Sequence, residues 1–413
     1  MKKTIFFAVS AIVLASCGGS NNNQNNPQKP ETQSETTENK PISGGGNQVT
    51  ISGAINENVT WKDLGLPVDY IVEGAVFLDG NSLVTVEPGV TIMFSGVDGH
   101  IYVGENAGIK MQGTKDKPIV LTCPLNNQNV GAWGNLSIRS TRSDNALEFV
   151  EFKNGGAGSN VLDIAGTVSV KNCTIDGANE NGISVASDGK LTAFENNTMK
   201  NCKQYPLVIA NNSKLNGIGA GNVFESNAQN VIFCEDRYFG DDNFKYAVHK
   251  TAVPYFFNDG FEIYNRVTVT IEPGVKFLFN RNTGCSMSGE AIVKIQGTDS
   301  EPVVFDGLED KAGYWEGVRY EANEKDNVFE NFNIVNAGKS GANSLFIGCD
   351  AVLTMKNVSV TKGEADAAIN FDCSENISKL KMENVTTDKG IVVNGQEEEM
   401  VFKTVDEMLK KVK

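Results

Sequence analysis

The feature that most constrains the fold of this 413-residue chain is a short unit that recurs after about two dozen residues. Each unit contains short strands with alternating apolar and polar residues, such as VSVKNCTI at 168–175, and Gly or Asn separates the strands. The unit is slightly longer in the later part of the chain than in the earlier part. The residues that mark the ends of equivalent strands are Phe152, Ile175, Met199, Phe224, Ile334, Val360 and Thr387.

A unit of this size cannot bury its own apolar face, but stacked copies can. If each strand pairs in parallel with its equivalent one unit away, about 4.8 Å distant, the inward residues form a continuous core. We therefore predict an all-β solenoid, a parallel β-helix. A propeller would need a period of about 40–50 residues, and a β-sandwich would show no regular period.

Asparagines stand three residues before several of the strand ends. Stacked in one turn, their amides would hydrogen-bond along the axis and satisfy backbone groups that the bend leaves unpaired. The alternative is that these asparagines lie in ordinary solvent-exposed turns and do not bond to one another. The predicted ladder residues are Asn172, Asn196, Asn331, Asn357 and Asn384.

A longer repeat is also present, in which four blocks recur in the same order at a nearly constant offset. This regularity indicates a duplication, with half one at 49–240 and half two at 241–413. The paired blocks are LVTVEPGV (83–90) and TVTIEPGV (268–275), IKMQGT (109–114) and VKIQGT (293–298), KDKPIVLT (115–122) and DSEPVVFD (299–306), and the segments that begin at Trp133 and Trp315.

These blocks together resemble a broad set of right-handed parallel β-helix repeat lipoproteins of Bacteroidota type. The resemblance covers nearly the whole chain from Val49 onward and implies a right-handed parallel β-helix. It implies structural roles alone: glycine and proline form turns, and Trp packs against a coil. Those roles fall on Pro88, Gly89, Gly113, Trp133, Pro273, Gly274, Gly297 and Trp315.

The N-terminus indicates export and lipid attachment. Two lysines precede an apolar stretch from Ile5 to Ala15, which is shorter than the roughly 20 residues of a membrane-spanning helix. LASC at 14–17 resembles the lipobox of bacterial lipoproteins, which implies a signal peptide at 1–16 and acylation of Cys17. We therefore expect the membrane as a partner through lipidated Cys17. The expected location is the cell envelope, at the outer membrane, with the leaflet open.

Two further segments flank the repeats. Residues 17–48 are rich in Asn, Gln, Ser, Thr and Gly and poor in large apolar residues, which predicts a disordered tether. At the other end, Thr404 and Glu407 have the spacing of a capping box, which predicts a short helix over the last coil. Such a cap would protect a sheet end that is otherwise open to aggregation.

The net charge excludes one class of partner. It is formally −15, and removal of the two lysines with residues 1–16 lowers it to about −17. Nucleic-acid binding needs clustered Lys and Arg to neutralise phosphates, so we exclude nucleic acid. The same composition excludes a basic patch for anionic lipid headgroups.

Seven cysteines remain besides Cys17, and none forms a CxxC pair, so the sequence contains no zinc or redox motif. Cysteines in short strands are typical small apolar residues of a core. One or two disulfides are the alternative, because the cell envelope is oxidising.

No pattern for catalysis, a cofactor or a metal stands out. Neither His100 nor His249 lies in a motif. Asp241 and Asp242 follow a glycine, which is similar to polygalacturonases, but the NTD, GHG and RIK motifs of that family are missing. Nucleophile elbows, P-loops, dinucleotide fingerprints and calcium loops are missing too. We predict no cofactor and favour a non-enzymatic protein, while an enzyme stays open.

The junction of the halves is the segment richest in aromatic and charged residues. Aromatic rings beside carboxylates and lysines can stack and hydrogen-bond a sugar. The alternative is that these rings pack the first coil of half two. The candidate ligand contacts are Tyr238, Asp241, Asp242, Lys245 and Tyr246.

Three functions follow from these features. The leading hypothesis is an envelope or cell-surface protein that binds or adheres to a glycan or an envelope protein without catalysis. The second is a polysaccharide lyase or glycoside hydrolase acting on acidic polysaccharide. The third is a purely structural envelope component. The sequence does not determine the oligomeric state.

Overall fold

The structure, a computed structural model, describes residues 47–395 and 398–412 and confirms an all-β, right-handed parallel β-helix, with about 14 turns. The described residues form one compact unit. The predicted signal peptide, nearly all of the predicted tether and Cys17 lie outside the described residues. The division into two homologous halves stays a prediction from the repeat.

The strands are short and follow one another closely. The first eighteen are β1 (Val49–Ile55), β2 (Val59–Trp61), β3 (Tyr70–Leu78), β4 (Leu83–Val86), β5 (Thr91–Phe94), β6 (His100–Val103), β7 (Gly108–Gln112), β8 (Ile119–Thr122), β9 (Leu136–Ile138), β10 (Ala146–Glu148), β11 (Val150–Gly155), β12 (Leu162–Ile164), β13 (Thr167–Lys171), β14 (Thr174–Ala178), β15 (Ile183–Val185), β16 (Lys190–Glu195), β17 (Thr198–Cys202) and β18 (Leu207–Ile209).

The later strands continue the same pattern. They are β19 (Val223–Glu225), β20 (Ile232–Cys234), β21 (Tyr238–Phe239), β22 (Lys245–Val248), β23 (Tyr255–Phe257), β24 (Phe261–Ile263), β25 (Thr268–Ile271), β26 (Lys276–Phe279), β27 (Gly284–Gly289), β28 (Ile292–Gln296), β29 (Val303–Gly307), β30 (Gly317–Ala322), β31 (Val328–Val335), β32 (Leu345–Ile347), β33 (Thr354–Thr361), β34 (Ala367–Phe371), β35 (Lys381–Thr387), β36 (Gly390–Asn394) and β37 (Glu399–Phe402).

Helices are few in the described part of the chain. None of them is long and apolar enough to cross a membrane. They are three 3₁₀ helices at Asn212–Gly217, Lys339–Gly341 and Ser374–Lys379, and the α-helix α1 at Val405–Lys411.

The strands form three sheets. The largest has 23 strands, a six-stranded sheet runs from β2 to β16, and an eight-stranded sheet runs from β21 to β37. Strand pairs between successive coils are parallel throughout the described residues, and β36 with β37 is the antiparallel exception. The coil is therefore closed by one small sheet in its earlier part and by the other in its later part.

The apolar ladder predicted from the repeat period is confirmed. Phe152 is in register with Ile175, Ile175 with Met199, and Met199 with Phe224. These four side chains are at most 5% exposed, and they belong to one core that extends along the described coils. Ile334 and Val360 are paired and buried in the same way, and Val360 pairs with Thr387.

Outward side chains add charge complementarity to the register. Glu148, Lys171 and Glu195 stand in one row, and Lys171 is 2.9 Å from Glu195. Asp176 and Lys200 are paired on another face at 3.3 Å. Exposed pairs of this kind are worth only about 0–1 kcal/mol each. A register slip by one coil would nevertheless bring like charges together, so these rows disfavour misaligned stacking.

The predicted asparagines all lie in a left-handed backbone conformation, with φ between 47° and 57°. In the later coils their amides bond in series: Asn384 Nδ2 donates to Asn357 Oδ1, and Asn357 Nδ2 donates to Asn331 Oδ1, both at 2.9 Å. In the earlier coils the series runs through different residues. Asn197 and Asn222, both buried, accept from the backbone N–H groups of Cys173 and Asn197.

The repeated Trp residues occupy equivalent environments. Trp133 stacks on Phe94 at 4.2 Å between ring centroids, and Trp315 stacks on Phe279 at 4.3 Å. Each indole Nε1–H donates to a backbone carbonyl 20 residues later, at 2.7 and 2.8 Å respectively. Both rings are fully buried, and each polar N–H is satisfied.

Glycine is required in the repeated blocks for two different structural reasons. Gly89 and Gly274 have left-handed φ values of 95° and 77°, which a side chain would strain. Gly113 and Gly297 lie close against a backbone carbonyl of the next coil, so that a Cβ would overlap it.

Near the predicted junction, the 3₁₀ helix Asn212–Gly217 takes the place of a strand between β16 and β22. The side chain of Asn216 bonds to β22 as a strand residue would. Its Nδ2 donates to Lys245 O, and its Oδ1 accepts from Ala247 N, both at 2.8 Å. The Asn216 amide therefore forms two hydrogen bonds with the backbone of β22 that a neighbouring strand would otherwise form.

The predicted C-terminal helix is confirmed as α1. Thr404 Oγ1 accepts from the backbone N–H of Glu407 at 3.1 Å, as its cap spacing indicates. Val405 and Met408 are buried in the core of the last coils. The antiparallel strand β37 before the helix was not predicted, and it covers the edge of β36.

Among the cysteines of the described residues, two form a disulfide and the others are buried in the core. Cys349 and Cys373 form a disulfide between residues 24 positions apart, with a Cα–Cα distance of 5.0 Å. The other five in the described residues are free and buried, as small apolar residues of the core would be. Burial raises the pKa of the Cys202 thiol to about 12, so this group stays protonated and unreactive at neutral pH.

We predict that Asn357→Gly and Asn357→Ala destabilise the protein to different extents. Both remove two amide hydrogen bonds, at a cost of about 1–2 kcal/mol. Alanine should cost roughly 1 kcal/mol more, because it disfavours the left-handed backbone that glycine accepts. The midpoints of urea unfolding measure the difference. Equal midpoints for the two variants would contradict the backbone contribution, and wild-type midpoints for both would contradict the ladder.

Candidate functional site

Seven side chains from successive coils lie next to one another on the outward side of one sheet, and we call them the outer row. They belong to β3, β6, β9, β12, β15, β18 and β20, each strand in parallel register with the next. Neighbouring strands are about 4.8 Å apart, so the row extends over roughly 29 Å. The members are Phe77, Tyr102, Ser137, Asp163, Ser184, Val208 and Phe233.

The outer row has an aromatic platform towards each end. In the first platform, Phe77 stacks on Tyr102 with 5.3 Å between centroids, and His100 stacks on the same tyrosine at 5.4 Å. Phe77 is 43% exposed, which is unusual for a phenylalanine. In the second platform, Tyr205 and Phe233 are nearly parallel, at 4.5 Å and 9°. The other four rings are half-buried, and those of the second platform also pack against a small buried cluster that includes Phe256. Each platform therefore presents part of a flat apolar surface to the solvent.

Between the platforms the outer row has three polar residues, with Asp163 at its centre, followed by the buried Val208. Asn135 Nδ2 and Asn160 Nδ2 each donate to one carboxylate oxygen, both at 2.6 Å. The residues on either side of Asp163 in the row are Ser137 and Ser184, so the carboxylate lies between two short side chains. Burial raises the pKa of Asp163, while the two amide donors and the nearby Arg139 and His100 act in the opposite direction.

The imidazole of His100 is oriented by the same asparagine. Its Nδ1 lies 2.9 Å from Asn135 Oδ1 and 3.2 Å from Asn135 N. These two contacts require opposite tautomers. Because Asn135 Nδ2 faces the Asp163 carboxylate, Oδ1 must face the ring and accept, so we assign the proton to Nδ1. His100, Asn135 and Asp163 then form one hydrogen-bonded chain across three coils.

A glycine provides the space for this ring. A Cβ on Gly134 would overlap the His100 imidazole. Gly134 follows the buried Trp133, which anchors the turn below. The position of His100 therefore depends on the absence of a side chain one coil away.

The later coils do not repeat this site. At the positions that the repeat aligns with His100 and Tyr102 stand Gly284 and Ser286. Ser286 is in register with Arg319, whose guanidinium lies 4.2 Å from the centroid of the Phe346 ring. Arg319 is also paired in two contacts with Glu321. The chemistry of the outer row thus belongs to the first half of the predicted duplication.

The candidate contacts predicted at the junction do not form one site. Tyr246 is 2% exposed; it packs edge-on against Phe239 and accepts a hydrogen bond from Asp241 N. Burial raises its pKa to about 12. Its ring is therefore not available to a surface ligand. It packs in the core, which was the alternative to ligand contact.

The other predicted contacts are on the surface but are engaged separately. Asp242 forms a bidentate ion pair with Arg266, which lowers the pKa of its carboxyl. Tyr238 is 47% exposed and packs edge-on against Tyr264 at 5.8 Å. Lys245 is exposed, and its backbone carbonyl binds Asn216.

His249 lies away from the outer row, in a concave region of about 500 Å³ where the 3₁₀ helix Asn212–Gly217 replaces a strand. The ionisable side chains that line it are already in contact with partners. His249 Nδ1 is 2.9 Å from Glu272 Oε1, and Lys250 Nζ is 2.5 Å from Glu301 Oε1. Small residues form the opposite wall, at Gly217, Gly219 and Ala220 among others.

Within the described residues, one group of side chains brings three potential metal-ligand atoms within 4.8 Å of one another: Cys349, Asp372 and Cys373. Its two sulfurs are joined in the disulfide. Metal binding by cysteine requires the thiolate, so this group does not offer a metal site in its oxidised form.

Comparison with known proteins agrees with the fold. A family model described as a pectate-lyase-like β-helix domain matches residues 53–204, less than half of the chain. The protein is a parallel β-helix repeat protein. The matched part of this repeat protein contains the outer row from Phe77 to Ser184 and the His100 chain. No curated protein matches the sequence. No solved structure matches it either.

Sequence reasoning missed the outer row and His100. One available signal was the difference between the aligned repeats, because His100 and Tyr102 stand where the second copy has Gly284 and Ser286. A second signal was Trp133-Gly134-Asn135, which becomes Trp315-Glu316-Gly317 in the second copy. Differences between copies mark positions that the shared fold does not require.

We predict that Gly134→Ala lowers the free energy of unfolding by about 1–3 kcal/mol, because the new methyl overlaps the His100 ring. In a His100→Ala background the same change should cost much less, since the methyl then occupies vacated space. Chemical unfolding of the wild type, both single variants and the double variant gives the coupling. Strictly additive effects would contradict the placement of the ring on Gly134.

Proposed function

We propose that the outer row binds a glycan chain that lies along the axis of the β-helix. The observation that carries this proposal is the pair of aromatic platforms separated by a hydrogen-bonded carboxylate. Sugar rings have apolar faces that stack on aromatic side chains, and hydroxyl edges that bond to carboxylates and amides. Both kinds of surface alternate along the row.

The dimensions support an oligosaccharide rather than a single sugar. Tyr102 and Phe233 are five strand steps apart, which corresponds to about 24 Å. One sugar ring cannot contact both platforms, whereas a chain of several units can. Binding by an extended row requires no enclosed cavity. Five of its seven members are exposed or half-buried, whereas Ser137 and Val208 are buried.

Binding at the cell envelope is the second part of the proposal. The LASC sequence at 14–17 and its resemblance to a lipobox support anchoring through lipidated Cys17, at the outer membrane. Two or three acyl chains would anchor the protein stably. A tether of about 30 residues would extend up to roughly 100 Å, so the row could reach glycans or envelope proteins away from the bilayer.

A polysaccharide lyase or glycoside hydrolase at the same row is a second candidate. The specific observation in its favour is the His100–Asn135–Asp163 chain, which holds the Nδ1 proton and leaves Nε2 to exchange a proton with a substrate. Incubation with polysaccharides would show new reducing ends or the absorbance of an unsaturated product, lost in His100→Ala. Binding without any product would reject catalysis and retain binding.

We predict that Tyr102→Ala and Phe233→Ala each weaken glycan binding by about 5- to 30-fold, because each removes one stacking surface. Tyr238→Ala is the matched control, since Tyr238 is an exposed aromatic residue outside the row. A glycan array on the mature protein identifies ligands, and calorimetry compares the variants. An equal loss in Tyr238→Ala, or no loss in the row variants, would contradict the proposal.

We predict that the protein expressed with its own N-terminus incorporates labelled fatty acid and sediments with membranes, and that Cys17→Ser does neither. The thiol of Cys17 is the proposed attachment point, so its removal prevents acylation. Washing with high salt is the control for peripheral association. Membrane retention of Cys17→Ser without label would contradict anchoring at this residue.

A further inference from the structure

We infer that the outer row selects a neutral glycan and discriminates against uronate polymers. This inference rests on the proposed function, and it concerns the ligand's charge. The inferred ligand differs from that of the second hypothesis from the sequence, in which an enzyme acts on acidic polysaccharide. The observation behind it is the position of Asp163 at the centre of the row, between the two platforms.

The Asp163 carboxylate has acceptor capacity left for a ligand. A carboxylate offers about four lone-pair positions, and the structure fills two of them with Asn135 and Asn160. A pair of neighbouring sugar hydroxyls supplies two donors to one such group. The amides that hold Asp163 also orient it, because Asn160 is in turn bonded by Asn181 Nδ2 at 2.9 Å. The site is therefore prepared to accept hydrogen bonds.

The charges near the row would oppose a second carboxylate. Asp163 is the one charged member of the row, and Arg139 is an exposed cation near it. Asp79 and Glu105 lie on the exposed turns that follow β3 and β6, the two coils before Arg139. A uronate carboxylate is disfavoured beside a like charge unless a cation offsets the repulsion. Arg139 offsets the charge of Asp163, and Asp79 and Glu105 add negative charge towards the end of the row that begins at Phe77.

The neighbours of Asp163 within the row are compatible with uncharged sugar units. Ser137 and Ser184 present no charge, and Tyr102, Phe77 and Phe233 provide apolar surface. A neutral hexose or pentose chain can stack on the platforms and direct hydroxyls to Asp163. An acidic chain that spans both platforms would place at least one of its own carboxylates within the field of Asp163.

The test compares neutral oligosaccharides, from a glucan, mannan and xylan, with oligogalacturonate of the same length, on the mature protein. We expect wild type to bind at least one neutral series at least tenfold more tightly than oligogalacturonate. Asp163→Asn should weaken neutral binding about tenfold and strengthen oligogalacturonate binding. Asp176→Asn is the matched control, because it removes the same charge from a different face and should change neither.

A second measurement needs no variant. Raising the salt concentration screens repulsion between exposed charges, so any wild-type binding of oligogalacturonate should increase while neutral binding stays constant. Tighter wild-type binding to oligogalacturonate, weakened by salt and unaffected by Asp163→Asn, would overturn this inference but keep the proposed function. Absence of binding to every glycan would overturn both. Circular dichroism of each variant establishes that it is folded.

Discussion

Parallel pairing between equivalent strands of successive coils is the interaction on which the rest of this structure depends. Side chains alternate along a strand, so a slip by one residue would turn Phe152, Ile175 and Met199 out of the core. The outward rows of opposite charge favour the same register. Residues about two dozen positions apart in sequence therefore become neighbours about 4.8 Å apart along the axis.

The pairing that builds the core also builds the surface. Every outward position generates a row along the axis, and the core places no demand on the chemistry of that row. In the earlier coils one row carries aromatic rings and Asp163, whereas the aligned positions later carry Ser286, Arg319 and Phe346. One architecture can therefore present different surfaces, and function has to be argued from the outward side chains themselves.

The architecture was predictable from the sequence because inward residues repeat with a nearly constant period. The C-terminal helix was predictable from its cap, since Thr404 and Glu407 interact locally. The outer row was not, because turns of different length separate its members. The stretch of chain between Tyr102 and Ser137 is much longer than the stretch between Asp163 and Ser184, although both pairs are direct neighbours.

Local composition does not locate the site. The junction segment is rich in aromatic residues, but the ring of Tyr246 is part of the core. The His100 site has few such residues, and its parts come from three coils that meet through Gly134 and Asn135. The burial of Tyr246 and the meeting of His100 with Asn135 both depend on pairing between distant strands. Local composition contains no information on that pairing.

The distance between spin labels at positions 77 and 233 tests the stacked register most directly. The two positions are far apart in sequence but only six strand steps apart in the structure. The five free cysteines are buried and should not react with the label. Pulsed electron paramagnetic resonance on a Cys17→Ser, Phe77→Cys, Phe233→Cys protein should give a single narrow distribution centred at about 29 Å. A broad distribution, or a mean distance far from that value, would contradict a continuous parallel stack from β3 to β20.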